Sequence, residues 1–209
     1  MKKIGRLLAL VAAVAALTGC ASSVNYTLEP GYGKASPVKI AVLPVIISRK
    51  DPGASENQDI GRLFRGMSFE RLRQMNYRPV PLEEMDGRLN KQADGRFMDK
   101  TPQEVARMLD ADAVLYIRIA GWDKGKLPAY ASLKVEGSYE LYSSDGRRLW
   151  NASYSTKEAD LGLDGKTMEL GVIKAYEPRI QRFVDAVFST LPQREAQQQE
   201  EKTFYQWLP

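Results

Sequence analysis

The chain contains no histidine and only one cysteine among its 209 residues. Without histidine, the protein has neither a Ser-His-Asp nor a Cys-His triad, and every His-ligated zinc or iron centre is excluded. A single cysteine also excludes an intramolecular disulfide, a cysteine cluster and a CxxC redox pair. Much hydrolytic, redox and metal chemistry is therefore excluded before any motif is considered.

The sequence also lacks a large excess of charge of one sign. Lysine and arginine number 30 against 26 aspartates and glutamates, but Lys2, Lys3 and Arg6 precede a long apolar run at the start of the chain. The rest of the chain carries 27 basic and 26 acidic residues. Because a nucleic-acid-binding domain usually has a marked positive excess, we expect no nucleic-acid partner.

The first 20 residues have the features of a secretory signal. The three basic residues are followed by eleven apolar residues, 7–17, which are too few to span a bilayer. The run ends in Leu17, Thr18, Gly19 and Cys20, which match the lipobox of bacterial lipoproteins. In such proteins the thiol receives a diacylglycerol, the signal is cleaved before the cysteine, and the freed amine is acylated. We therefore expect Cys20 to carry a covalent diacylglycerol and an N-acyl lipid that anchor the protein in a membrane.

The residues after Cys20 indicate the destination of the protein. They are Ala21 and Ser22, and neither is the aspartate that resembles an inner-membrane retention signal. We expect a protein anchored in the outer membrane, facing the periplasm or the cell surface. The longest later apolar stretch is the eight residues 40–47, interrupted by Pro44, so no later segment is expected to span a bilayer.

Composition divides the chain into four parts. Residues 1–19 are the signal peptide, and residues 20–36 are a lipidated flexible tether because they are rich in small and turn-forming residues. Residues 37–191 have the length of one globular domain. Residues 192–209 form a polar stalk, rich in glutamine and glutamate, with an aromatic C-terminal tail.

Hydrophobic periodicity predicts an α/β domain. Residues 38–43 are nearly all apolar, as in a strand buried on both faces, and apolar residues at helical spacing follow over residues 60–76. Residues 101–104 (TPQE) are a capping box that opens a further helix, and residues 112–122 form a second largely apolar strand. This order predicts a single sandwich-like domain with a mixed β-sheet covered by helices.

The second half of the domain predicts a hairpin and a closing helix. Residues 131–142 alternate apolar and polar, which indicates one buried and one solvated face. Asp145-Gly146 predicts a tight turn, and residues 147–157 are expected to return antiparallel. A last apolar stripe at helical spacing covers residues 173–191, and Pro178 is expected to kink this helix or to start its second half.

Three segments resemble a known protein family. They are residues 36–44 (SPVKIAVLP), residues 111–117 (ADAVLYI) together with Trp122, and residues 148–150 (RLW). They resemble a bacterial lipoprotein family of unknown activity, whose fold is similar to the amino-terminal domain of TolB and to lipoprotein activators of peptidoglycan synthases. The resemblance covers residues 36–156 and implies a TolB-like fold and an accessory role in curli-type secretion or transport systems. Where the family usually continues with proline and asparagine, this chain has Val45-Ile46-Ile47.

One candidate partner-binding surface lies in the first predicted helix. Arg62, Arg65, Phe69 and Arg73 follow spacings of three, four and four, which predicts a basic stripe with one aromatic residue. An anionic glycan, lipid headgroup or protein would suit such a stripe. The alternative is a solvated cationic helix face with a partly buried phenylalanine.

The aromatic tail is a second candidate. Phe204, Tyr205 and Trp207 follow a polar segment, and aromatic residues are frequent anchors of protein interfaces. We expect the tail to bind a partner or a second copy of the chain. The alternative is that it packs on its own domain.

No complete set of catalytic or metal-ligating residues is recognised. Glu83 with Glu84, and Asp110 with Asp112, are carboxylate pairs, but close neighbours in sequence do not face each other across a sugar as a glycosidase requires. We therefore expect no enzyme activity, no metal and no cofactor other than the covalent lipid.

These features together predict a lipoprotein that works by binding. Its expected contacts are the membrane, through the lipid anchor, and other envelope proteins such as a secretion-channel lipoprotein, with a homo-oligomer as a further expectation. Two alternatives remain open. One is a regulator of a peptidoglycan synthase, and the other is an envelope hydrolase or glycan-binding enzyme.

Overall fold

The computed structural model describes residues 23–48, 54–93, 97–124, 130–161 and 172–195. The strands of this part of the chain are β1 (Asn25–Leu28), β2 (Lys39–Val42), β3 (Ile46–Ile47), β4 (Arg78–Pro79), β5 (Ala113–Lys124), β6 (Tyr130–Ser143) and β7 (Arg148–Leu161). Its α-helices are α1 (Tyr32–Ala35), α2 (Ala54–Gln74), α3 (Leu82–Ala93), α4 (Pro102–Leu109) and α5 (Val172–Phe188). A short 3-10 helix covers Phe97–Asp99.

The strands form one mixed sheet. Its order is β1-β7-β6-β5-β2-β4, and the short β3 lies beside β5. β2 is parallel to both β4 and β5, whereas β5, β6, β7 and β1 pair antiparallel. The prediction of an α/β domain with a mixed sheet covered by helices is therefore confirmed.

The parallel part of the sheet is covered on both faces. Ile40 and Val42 of β2 pack in a core cluster with α2 and α5, and Ala41 and Leu43 pack in a second cluster with α3 and α4. All four side chains are fully buried. Burial on both faces explains why residues 38–43 are almost continuously apolar.

The antiparallel part is covered mainly on one face. On β6, Val135, Tyr139 and Leu141 are buried against the helices, whereas Lys134 and Glu136 are exposed. α5 packs closely on Gly137: a Cβ atom there would lie 3.3 Å from Phe183 Cζ of α5, and also 2.9 Å from Ile119 Cδ1 of the neighbouring strand β5. The predicted alternation of buried and solvated residues is confirmed, and α5 continues through Pro178.

The segment 25–36, predicted as part of the flexible tether, belongs instead to the fold. β1 pairs antiparallel with β7, and Val24, Tyr32 and Ala35 pack against the main core cluster. All four residues of β1 are exposed. Because this edge strand buries no face of its own, its sequence lacks the alternation that marks a half-buried strand.

One helix, α4, was predicted from the sequence, and another, α3, was missed. The capping box of α4 is formed as predicted: Glu104 N donates to Thr101 Oγ1 at 3.3 Å, and Thr101 N donates to Glu104 Oε2 at 2.7 Å. α3 was not predicted, although Leu82, Met85 and Leu89 pack in the second core cluster at helical spacing. The apolar stripe of α3 has only three residues among many polar ones, so it gives a weak periodic signal.

Candidate functional site

The four residues of the predicted basic stripe all lie in α2, but they do not form one surface. Arg65 is buried, with a side-chain exposure of 11%. Its guanidinium donates two hydrogen bonds to Asp86 of α3, at 2.6 and 2.9 Å, and Nε donates to the carbonyl of Val42 at 2.9 Å. Arg65 therefore ties α2 and α3 to the carboxyl end of β2, and the predicted basic stripe is corrected at this residue, because Arg65 is interior.

The remaining residues of the stripe lie at the surface or partly within it. Arg62 and Arg73 are exposed and pair within α2, with Asp59 at 3.4 Å and Glu70 at 3.1 Å. Phe69 is half-buried. Exposed pairs of this kind contribute little to stability, so Arg62 and Arg73 keep their charges available to a ligand.

A groove lies where β2 ends and α2 begins, and Arg62 and Arg65 line it. Its volume is about 490 Å³, and its other lining residues are Pro44, Val45, Ile47, Asn57, Gln58 and Gly61. Asn57 Oδ1 is buried and accepts no hydrogen bond from the described residues. The carboxyl end of a parallel strand is a common ligand position in α/β folds. The Arg62 guanidinium and the side-chain amides of Asn57 and Gln58 can hold a polar ligand in this groove. Guanidinium and amide groups are poor proton donors and acceptors near neutral pH.

The beginning of the predicted polar stalk is part of the domain. Tyr77 donates its hydroxyl hydrogen to the carbonyl of Pro192 at 2.5 Å, and Asn76 Nδ2 donates to the carbonyl of Arg194 at 2.8 Å. Arg194 donates to the carbonyl of Pro37 at 2.9 Å and lies 6.0 Å from the centre of the Tyr77 ring. The stalk assigned to residues 192–209 is thus corrected at its start, because residues 192–195 pack on the domain.

Two neighbouring tyrosines, the buried Tyr77 and the partly buried Tyr32, support this C-terminal contact. The hydroxyls of Tyr32 and Tyr77 contact each other, which joins α1 to the residues just before β4. Burial raises the pKa of both hydroxyls, and for Tyr77 the neighbouring Tyr32 hydroxyl adds to the increase. Both side chains therefore remain neutral hydrogen-bonding groups at physiological pH.

The face of the sheet opposite α5 presents polar side chains near the β1 edge. The exposed positions of this face on β6 and β7 are Lys134, Glu136, Ser153, Ser155 and Lys157. The strand register sets Lys134 directly opposite Lys157. Sequence alternation predicted a solvated face here, but the pairing of two lysines depends on the register between strands and was missed.

Three of the four carboxylates considered for catalysis, Asp110, Asp112 and Glu84, have structural partners. Asp112 accepts hydrogen bonds from the backbone N–H groups of Val38 and Lys39 at 3.0 and 2.8 Å, so it holds the start of β2. Asp110 pairs with the Lys39 ammonium at 2.7 Å, and this hydrogen bond lowers the pKa of Asp110. Glu84 pairs with Arg88 at 2.6 Å. These contacts organise local structure and bring no two carboxylates together for an acid–base step.

Several predicted residues lie outside the described ranges. They are the lipobox Leu17, Thr18, Gly19 and Cys20, and the aromatic residues Phe204, Tyr205 and Trp207. Within the described ranges, no helix has the length and apolarity that a bilayer span demands. The same ranges contain no cluster of three or more Asp, Glu, His or Cys side chains that would hold a metal ion.

Comparison with known proteins shows which solved structures have a similar fold. No protein-family model and no curated protein matches the chain. Among solved structures, it is similar to the PelC dodecamer from Paraburkholderia phytofirmans, with a TM-score of 0.51 and 18% identity over 83% of this chain and 99% of that one. It is also similar to lipoprotein GNA1162 from Neisseria meningitidis, with a TM-score of 0.50 and 18% identity over 70% of this chain and 99% of that one. The TolB-like fold stays a prediction, and the chain shares its fold with PelC and with a neisserial lipoprotein.

Proposed function

We propose that the protein is an outer-membrane lipoprotein and a non-catalytic accessory subunit of an envelope secretion or transport complex. The observation that carries the proposal is the only cysteine of the chain, Cys20, at the cleavage position of a lipobox. A folded domain follows at once, because β1 begins at Asn25. This arrangement holds a binding domain directly at a membrane.

Membrane anchoring supports binding by raising effective concentration. Two partners held in the same membrane plane meet far more often than two partners free in solution, so modest contacts between them suffice for assembly. The groove at the end of β2 and the exposed edge strand β1 are the surfaces available for such contacts.

Self-association is part of the proposal. PelC, which has a similar fold, was solved as a dodecamer. β1 supports the idea in this chain, because an edge strand presents unpaired backbone groups to a neighbour. A secretion-channel lipoprotein, suggested by the family resemblance, is the proposed heterologous partner.

The short tether argues against the alternative of a peptidoglycan-synthase regulator. With β1 in the fold, only residues 20–24 separate the lipid from the sheet. Five residues extend at most about 18 Å, whereas the seventeen residues 20–36 would have extended roughly 60 Å. A domain held this close to its own membrane is poorly placed to reach a partner beyond the cell wall.

Fractionation of cell membranes tests the anchor. Cys20→Ala should leave the chain uncleaved and remove it from the outer-membrane fraction, while the control Ser22→Ala should behave like the parent. Ala21→Asp should move the lipidated protein to the inner membrane, since it introduces the residue that resembles a retention signal. Normal processing and partition of Cys20→Ala would show that the lipoprotein assignment is wrong.

Crosslinking in cells tests the accessory role. After affinity purification, we expect a ladder of homo-oligomers or a crosslinked envelope secretion or transport protein. Recovery of a peptidoglycan synthase instead would favour the alternative. Hydrolysis of envelope glycans by the purified lipoprotein would refute the non-catalytic assignment.

A further inference from the structure

The two edges of the sheet differ in how well they are protected against pairing with a further strand. The edge strand β4 has only two residues, Arg78 and Pro79, of which one is charged and the other has no backbone N–H. Shortness, charge and proline are features that keep natural sheet edges from pairing with another chain. β1 at the other edge has four residues, NYTL, without charge or proline. Of the described strands, only β7 pairs with β1, so the outer edge of β1 is open to a further strand.

The hydrogen bonds of β1 show which of its backbone groups point away from the sheet. Thr27 N donates to the side chain of the β7 residue opposite it at 3.1 Å, and Glu29 N donates to a β7 carbonyl at 2.9 Å. Backbone groups of successive residues in an antiparallel pair point to alternate sides of the strand. The N–H and C=O groups of Tyr26 and Leu28 therefore point outward, where a neighbouring strand can bind them.

The side chains of the same two residues are apolar and uncovered. The register sets Tyr26 and Leu28 opposite two β7 residues, Ala152 and Trp150, that are buried in the main core cluster. Tyr26 and Leu28 thus belong to the helix-covered face of the sheet, yet their exposed fractions are 56% and 39%. The outer edge of β1 offers apolar side chains and unpaired backbone groups at the same two positions.

A second copy of β1 fits this edge in one antiparallel register. When Thr27 lies opposite Thr27 of the second copy, Tyr26 of each copy lies opposite Leu28 of the other, and the outward backbone groups of both strands pair in four hydrogen bonds. A register shifted by one residue sets outward-pointing groups opposite inward-pointing ones. A register shifted by two residues leaves Tyr26 or Leu28 without a partner in β1. Only the first register uses every outward group of the strand.

We propose that two copies of the protein associate through β1, antiparallel and about a two-fold axis at Thr27, so that their two sheets become one. Pairs of an aromatic and an aliphatic side chain, such as Tyr26 with Leu28 of the second copy, stabilise neighbouring strands. A two-fold contact closes on itself, so β1 gives a dimer, and a larger assembly needs a second surface in addition. The inference rests on the proposed self-association and gives it a surface and a register.

The lipid anchors favour this dimer. Four residues from each copy form a contact much smaller than the roughly 800 Å² per partner of a standard interface, so we expect weak association in solution. Anchoring both copies in one membrane raises their effective concentration. In the proposed register the two Asn25 residues are about 14 Å apart. Each tether 20–24 extends up to about 18 Å, so both anchors can enter the same membrane.

Disulfide trapping in cells tests the register with the full lipidated chain. Lipidation consumes the only native thiol, so Thr27→Cys provides the only free one. In the proposed dimer the two residues 27 form a non-hydrogen-bonded pair with Cα atoms about 4.5 Å apart, a distance that a disulfide spans. The matched control is Asn25→Cys, which is exposed on the same face of β1. Its two copies would be about 14 Å apart, which is too far for a disulfide.

We expect Thr27→Cys to migrate mainly as a disulfide-linked dimer on a non-reducing gel, with a dimer fraction at least about fivefold that of Asn25→Cys. Adding Tyr26→Pro should reduce the trapped fraction severalfold, because it removes an outward N–H and keeps those that bind β7. Tyr26→Lys, which places a charge on the edge and leaves the backbone unchanged, should also reduce it. Equal trapping at positions 25 and 27, or undiminished trapping in both Tyr26 variants, would overturn the proposal. A mixed disulfide of position 27 with another protein would overturn it as well.

An amine-reactive crosslinker applied to the same cells separates this inference from the proposed self-association. Homo-oligomers without a disulfide at position 27 would keep the self-association and overturn its assignment to β1. The absence of both products would overturn both. A disulfide-linked dimer of the parent chain would show that the Cys20 thiol is free, which overturns the anchor instead.

Discussion

The parallel and antiparallel halves of the sheet differ in how many faces they bury. In β2, successive residues enter two different core clusters, and each side chain from Ile40 to Leu43 is fully buried. In β7, Trp150 and Ala152 are buried while Ser153 is exposed. Two covered faces give a continuous apolar strand, and one covered face gives an alternating strand.

Because of this difference, buried positions of the sheet contribute mainly to stability, whereas exposed positions are available for contacts with other molecules. The parallel half contributes apolar burial on both faces and positions the groove at the end of β2. The antiparallel half stabilises the fold through one face and presents the other, together with β1, to its surroundings. Substitutions on buried and exposed positions should therefore differ sharply, most of all where the two occur on the same strand.

The largest effect is expected from the covered face of β7. Trp150 is fully buried, stacks on Phe188 with ring centres 6.0 Å apart, and donates from Nε1 to Thr190 Oγ1 at 3.1 Å. Trp150→Ala should lower the free energy of unfolding by about 3–5 kcal/mol. Ser153→Ala on the other face should change it by less than about 0.5 kcal/mol. Urea unfolding followed by circular dichroism measures both, and similar losses would contradict the one-sided burial of β7.

A second comparison uses two arginines of α2. Arg65→Met leaves the Val42 carbonyl and the Asp86 carboxylate without their donor, and should destabilise the domain by about 2 kcal/mol, since Asp86 retains partial access to water. Arg62→Met removes only an exposed pair with Asp59 and should cost less than about 0.5 kcal/mol. Thermal and urea unfolding measure the difference. Equal costs would show that Arg65 contributes no more to stability than the exposed Arg62, which would contradict its interior role.

The smallest effect concerns the contact of Tyr77 with Pro192. Tyr77→Phe removes the hydrogen bond to the Pro192 carbonyl and the one shared with the Tyr32 hydroxyl, and should cost about 1.5 kcal/mol at neutral pH. The exposed Tyr26→Phe is the matched control, with an expected change below about 0.5 kcal/mol.

The same substitution has a signature in the pH dependence of stability. Burial raises the pKa of Tyr77 above the value of about 10 that tyrosine has in an unfolded chain. The folded state therefore binds more protons above about pH 10, so this stabilisation is complete below that pH and is lost as pH rises. Tyr77→Phe should flatten the alkaline loss of stability, which urea midpoints between about pH 9 and pH 11 measure. Parallel curves for the parent and Tyr77→Phe would contradict this prediction.

Elements with a strong local signal were predicted closely. The capping box fixed the start of α4, because its two hydrogen bonds join residues three positions apart. The alternation of residues 131–142 and the Asp145-Gly146 turn located β6 and β7. Elements whose stability depends on distant partners were not recognised: β1 exists because it pairs with β7, more than 120 residues away, and α3 because it covers the second face of β2 and β5.

The sequence by itself predicted a lipid anchor and determined the class of the fold. The sole cysteine, the lipobox and the missing histidines are facts of composition, and the periods of two and 3.6 residues are local properties of strands and helices. Only the tertiary structure decided that Arg65 is interior, that Lys134 faces Lys157 and that residues 25–36 belong to the fold. These outcomes depend on which strands and helices meet, and contacts between distant segments leave no periodic pattern in either segment alone.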